Sequence, residues 1–185
     1  MTRFAVAGLA VVALGALLFS LNRIDDIAIE PETGGERLPR YTLSDAELIR
    51  YDAKGQPALK ATAATLEYFD DESATATALV VDVIAGPKTP WHLEAPAGAM
   101  QAGSRELVLT GAVVATGRWP DNDEPLVIRT PTMTVDPERN LLHTNAPIEA
   151  ASATRNGTAV GLSANWVAQD LRLLNKVKMR HEATR

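Results

Sequence analysis

From Tyr41 onward the polar and apolar positions alternate in short stretches, as in Leu107-Val108-Leu109-Thr110 and Leu171-Arg172-Leu173-Leu174-Asn175-Lys176-Val177-Lys178-Met179. A period of two puts successive side chains on opposite faces of an extended chain, so the pattern predicts β-strands rather than helices. Breakers punctuate it: Lys54-Gly55-Gln56-Pro57, Ala85-Gly86-Pro87, Gln101-Ala102-Gly103-Ser104, Trp119-Pro120-Asp121-Asn122, Asp136-Pro137-Glu138-Arg139-Asn140 and Arg155-Asn156-Gly157-Thr158. Read as turns, they join roughly nine strands. Aligning Leu59-Lys60-Ala61-Thr62, Leu93-Glu94-Ala95-Pro96, Ile128-Arg129-Thr130-Pro131 and Gly161-Leu162-Ser163-Ala164 gives offsets of 34, 35 and 33 residues. In the last three copies a second short strand follows (Ala97 to Met100, Thr132 to Val135, Asn165 to Val167), then a third that begins with leucine. A repeat of this length built of strands implies stacked β units that cannot bury their faces alone.

The amino terminus breaks the pattern. Residues 4–21 (FAVAGLAVVALGALLFSL) carry no charge over 18 residues. At a rise of 1.5 Å per residue a helix of that length spans about 27 Å, near the thickness of a bilayer core. The stretch reads as one transmembrane helix with residues 1–3 as a cytoplasmic tail. A cleaved signal peptide would need a small-x-small site, which Leu18-Phe19-Ser20-Leu21-Asn22-Arg23 does not offer. Residues 22–40, with Pro31, Gly34, Gly35 and Pro39, read as a linker, and 41–185 as one β domain outside the cytoplasm.

Composition narrows the chemistry. With no cysteine, disulfide, zinc-thiolate and thiol-nucleophile chemistry are excluded. The formal charge is −5 over the whole chain, and since Arg3 is the sole charged residue before Asn22, the rest carries 17 positive against 23 negative charges, or −6. Nucleic acid is therefore not expected as a partner, because binding phosphate backbones needs clustered Lys and Arg. His92, His143 and His181 match no metal-ligand spacing, and no nucleophile elbow, P-loop or dinucleotide fingerprint occurs. Asp70-Asp71-Glu72 and Asp121-Asn122-Asp123-Glu124 lack the spacing of a calcium loop and read as solvated turns. Asn156-Gly157-Thr158 reads as an Asn-Gly turn. No catalytic residue, metal or cofactor is expected. Only three Phe, three Tyr and three Trp are available to fill a core. Either modest aliphatic side chains fill the interior, or they leave a groove that an apolar ligand completes.

Local motifs resemble those of the LptC family, the single-span subunit of a lipopolysaccharide export machine. Tyr51-Asp52-Ala53-Lys54-Gly55-Gln56-Pro57-Ala58-Leu59-Lys60-Ala61 resembles that family's first strand, turn and second strand, with Gly55 as the turn glycine. Tyr68-Phe69-Asp70-Asp71 is similar to its aromatic-acidic corner. Trp91-His92-Leu93-Glu94-Ala95 with Gly98 resembles its tryptophan strand, and Leu107-Val108-Leu109-Thr110-Gly111-Ala112-Val113 its L-x-L-x-G-x-V strand. A late-strand glycine of the family falls near Ser152, a departure from its pattern.

The resemblance implies an all-β fold after the transmembrane helix: a twisted, V-shaped antiparallel β-jelly roll of stacked repeats, similar to OstA and LptA. It further implies a non-enzymatic carrier in the inner membrane whose bulk is periplasmic. Such a carrier holds the lipid A acyl chains of lipopolysaccharide, receives them from inner-membrane ABC transporter subunits, and passes them to a periplasmic β-jelly-roll bridge protein. Alternation names the inward candidates for a lipid groove: Leu59, Leu66, Tyr68, Trp91, Leu93, Leu107, Leu109, Val113, Leu126, Ile128, Met133 and Val135. The last strand is the expected partner edge, with Leu171, Leu173, Asn175, Val177 and Met179 on one face and Arg172, Leu174, Lys176, Lys178 and Arg180 on the other. A structural adaptor with a closed core and no cargo is the alternative. An envelope enzyme is a third class, since two distant carboxylates leave no sequence signature.

Overall fold

The computed structural model describes residues 37–84 and 90–181. The predicted transmembrane segment 4–21 lies outside the described residues, as do most of the linker and the turn at Ala85-Gly86-Pro87. Nine strands follow in chain order: β1 (Tyr41–Tyr51), β2 (Pro57–Tyr68), β3 (Ala74–Val83), β4 (Trp91–Met100), β5 (Leu107–Arg118), β6 (Pro125–Asp136), β7 (Leu141–Ala151), β8 (Arg155–Asn165) and β9 (Asp170–His181). They form one sheet in which every strand pairs antiparallel with its neighbours in sequence, from β1 to β9. The expected strand number and all-β class stand.

At 10 to 12 residues these strands are about twice the usual length. From β4 to β9 each is interrupted near its middle. The pairing slips between Glu94 and Ala97, Thr110 and Val113, Arg129 and Thr134, Thr144 and Pro147, and Thr158 and Val160, so the irregularities line up across β4 to β9 as one crease. The residues at the crease explain it. Pro96, Pro131 and Pro147 have no N–H to give to a ladder, and Gly111 (φ 98°) and Gly161 (φ 90°) adopt a backbone that side chains rarely tolerate. The separate short strands expected at Ala97 to Met100 and Thr132 to Val135 are therefore the far halves of β4 and β6, because a bulge bends a strand without ending it.

Across the crease the buried parity changes. In β6 the inward residues are Leu126, Ile128 and Thr130 before it, and Met133 and Val135 after it. In β8 they are Ala159 before, then Leu162 and Ala164. Apart from the buried polar Thr130, all belong to one connected core that also holds Val81, Leu93, Leu109, Leu142 and Trp166. No second layer exists among the described residues, yet Val81, Leu93, Leu109 and Ile128 are fully buried. A single layer cannot exclude water from both sides, so the sheet folds over its own inner face along the crease.

Turn chemistry corrects two further expectations. Asn156 and Gly157 lie inside β8, opposite Ala151 and Ala150, and the turn before them is Ser152 to Thr154, held by Ser152 N–H donating to the Arg155 carbonyl at 2.8 Å. Gly157 serves packing instead, since the Met179 side chain occupies the space a Cβ would need. Asn165 to Val167 is likewise no strand: the Asn165 side-chain oxygen accepts from the amides of Val167 (3.1 Å) and Ala168 (2.7 Å), an Asx turn that ends β8. Gly55 does sit in the first hairpin turn with φ 75°, while Asp52 Oδ1 accepts from the amides of Lys54 and Gln56.

Candidate functional site

Alternation across paired strands brings the inward-predicted side chains into three environments. Leu93, Leu109, Val113, Leu126, Ile128, Met133 and Val135 are fully buried in the common core. Leu59 and Trp91 are nearly so, and Leu66, Tyr68 and Leu107 are half-buried. Leu59, Leu66, Leu107 and Val135 line an apolar cavity of about 280 Å³ together with Leu48, Ala61, Ala76, Leu79, Ala99 and Met100. Tyr68 stacks instead on Tyr41 across the β1/β2 pair, with ring centroids 5.0 Å apart. Trp91 lies against Gly117.

The cavity's position follows from which strands border it. Among the described residues β1 pairs only with β2 and no other strand borders its outer edge, and Leu48 on β1 is 56% exposed although it lines the cavity. The mouth therefore runs along β1. Elsewhere the interior is plugged: Trp119, just after β5, and Trp166, just after β8, are buried, the indole of Trp119 carries the Arg155 guanidinium 5.3 Å above its ring, and Arg155 pairs with Asp121 at 2.8 Å. The folded sheet is thus hollow beside β1 and filled around these two tryptophans.

A larger concavity of about 840 Å³ follows the crease beside Gly111, Pro131 and Pro147, with Arg129, Glu149, Lys176 and Lys178 on its walls. It is broad and mostly apolar but carries those four charges on its walls, whereas the smaller space is walled almost wholly by aliphatic carbon. Only an apolar ligand gains free energy from the second kind of site, so the β1-side cavity is the better candidate.

Sequence reasoning missed Leu48, Arg50, Leu79, Ala99 and Arg105 in this lining. For Leu48 and Arg50 a signal existed in the period of two on β1. It acquires meaning only once Leu48 is known to face Ala61, and Arg50 to face Leu59.

At the other margin, β9 pairs only with β8 among the described residues, so it is an edge strand of the described sheet. Leu171 and Leu173 pack against the core, but Val177 and Met179 are about 45% exposed. The unbroken two-face alternation expected from Leu171 to Arg180 does not hold. Lys176 takes φ 49°, and Lys176 and Val177 together oppose the single residue Ala159, a bulge that displaces the faces.

Charged groups outside the cavity serve the scaffold. His92 on β4 meets Asp82 at 2.7 Å and Glu94 at 3.1 Å, and these carboxylates, Asp82 above all, raise its pKa. Glu124 accepts from the Thr154 hydroxyl (2.8 Å) and amide (2.6 Å), which joins two neighbouring turns and holds its pKa down to about 2. The predicted solvated turn at Asp121 to Glu124 is thus a turn with two structural carboxylates. Among the described residues no group of three or more His, Asp or Glu is placed to hold a metal ion.

Comparison with known proteins adds the following. A family model described as lipopolysaccharide-assembly, LptC-related, matches residues 8–182. No curated protein matches the chain. Among solved structures, the chain is similar to LptH, the LptA-homologous periplasmic component of the lipopolysaccharide transport device from Pseudomonas aeruginosa. Identity is 8%, the likeness covers 81% of this chain and 100% of that one, and the TM-score is 0.45.

Proposed function

Because the chain belongs to the LptC-related family of lipopolysaccharide-assembly proteins, and so has a role in lipopolysaccharide transport, we propose that its β domain is a non-enzymatic carrier. In this reading, lipid A acyl chains enter the folded sheet from the β1 side. The single observation behind it is the aliphatic cavity bordered by an edge strand of the described sheet. A flexible hydrocarbon chain suits such a space, since each buried CH₂ contributes about 0.8 kcal/mol and no directional bond limits sliding. The two sheet halves, joined along a crease, would part as a V to admit longer chains. Residues 4–21 would anchor the chain in the inner membrane with the first three residues cytoplasmic, next to ABC transporter subunits that deliver the lipid. The outer edge of β9 would dock a periplasmic β-jelly-roll partner by strand addition, its Lys and Arg discouraging self-pairing while admitting one chosen strand.

The filled core around Leu109 and Ile128 favours a second reading, a closed adaptor that bridges partners through its edges. In-cell photocrosslinking separates the two. A photoreactive residue at Leu48 or Leu107 is expected to yield lipopolysaccharide adducts, with exposed Arg129 as the silent control. Adducts to protein alone at both positions would establish the adaptor.

A further inference from the structure

We propose that Arg50 is the head-group residue of the β1-side cavity, pairing with the phosphate or carboxylate of an amphiphile whose acyl chain fills the aliphatic space beyond. This rests on the carrier reading and adds to it the charge of the ligand.

Register supplies the first argument. Arg50 stands opposite Leu59, and Leu48 opposite Ala61. Directly opposed residues of an antiparallel pair project to the same face. Leu59 is buried in the core, so Arg50 projects to the interior side, and both residues line the cavity. A slip in the pairing follows at Tyr51, which ends the regular ladder at that cation.

Charge supplies the second. Arg50 is half-buried, and among the described residues no carboxylate lies within ion-pair reach of it. The other cation of the lining, Arg105, is bound to Glu138, and the nearest acid along β1, Glu47, is bound to Lys60 at 3.0 Å. A charge held against apolar surface without a partner is costly, and an anion from outside removes that cost. Guanidinium is the group suited to the task, because its planar fork meets a phosphate or carboxylate through two parallel N–H···O bonds. The cavity is slightly smaller than the roughly 300–1,000 Å³ of typical small-ligand sites, room for one chain with the head left at the mouth.

The test uses the full-length chain in amphipol and two fluorescent probes with the same hydrocarbon, cis-parinaric acid and cis-parinaryl alcohol. The wild type is expected to bind the acid about tenfold more tightly, the scale of one charge-assisted pair. Arg50→Gln should lose that preference with alcohol binding unchanged, and Arg50→Lys should keep part of it. Equal affinities in the wild type, or an unchanged preference in Arg50→Gln, would overturn the inference. So would an Arg50→Gln chain that self-associates while keeping the preference, since Arg50 would then guard the edge against aggregation. Lipid A displacing the acid identifies a glycolipid phosphate as the source, and phosphatidylglycerol doing so a phospholipid phosphate; displacement by neither, with the acid preference kept, identifies a carboxylate. Filling the cavity by Ala61→Phe, or by Ala76→Phe should the first not fold, separates the two readings. If both probes still bind the filled cavity, the carrier reading falls; if filling abolishes both and Arg50→Gln alters nothing, only the head-group role falls.

Discussion

Trp91 lies flat against Gly117: a Cβ on that glycine would fall 2.7 Å from the indole carbons Cε3 and Cζ3. No side chain atom fits there, and the ring sits in the core with no free direction to yield. Gly117→Ala is therefore expected to destabilise the domain by about 1–3 kcal/mol, the usual cost of overpacking. Urea denaturation measures it. Adding Trp91→Leu should recover part of the loss, and no recovery would place the strain elsewhere.

Leu107 and Leu109 differ by two residues on β5 but by environment. Leu109 is fully buried, so Leu109→Arg buries an unpaired charge and is expected to unfold the domain, at a cost of about 3–5 kcal/mol. Leu107 is half-buried at the cavity wall, and Leu107→Arg should leave a folded, protease-resistant chain that no longer crosslinks to lipid. Limited proteolysis beside crosslinking tells these outcomes apart.

Acid stability should report on Glu124. Its pKa is held at about 2 by the Thr154 hydroxyl and amide, below the ordinary value of 4.5. A depressed carboxylate contributes stability above its unfolded pKa and loses that contribution as pH falls through the folded one. The urea midpoint should thus drop between pH 4.5 and pH 2 in the wild type. In Glu124→Gln, which does not titrate, this part of the slope should vanish.

His92 has the opposite sign. Asp82 and then Glu94 raise its pKa above 6.5, so the imidazolium's contribution is complete below pH 6.5 and is lost as pH rises through the folded value. A histidine titration followed by NMR should place His92 above the ordinary value, and Asp82→Asn should move it down. An unshifted His92 resonance would show that the pair does not persist in solution.

The strand class, the strand number and the inward parity of Leu93, Leu109 and Ile128 were legible in the chain itself, because a period of two is a local property of extended backbone. So was Gly55 at its turn, where positive φ selects glycine. The Asn156-Gly157 pair misled, since those residues suit a tight turn as readily as a strand that must admit Met179. The proline halts at Pro96 and Pro131 misled too, because a lost donor breaks a ladder locally and cannot say whether the strand resumes. Which buried residues border empty space was settled only by the folding of the sheet along its crease. That fold sets Leu59, Leu66, Leu107 and Val135 around a cavity and shuts Leu126 and Ile128 into filled core, although all share one pattern. Alternation assigns a side chain to a face; what stands opposite that face depends on strands far away in sequence, and no local signal carries it. Arg50 shows the same limit, as a charge at an inward position on an edge strand whose meaning comes from its partner Leu59 across the pair.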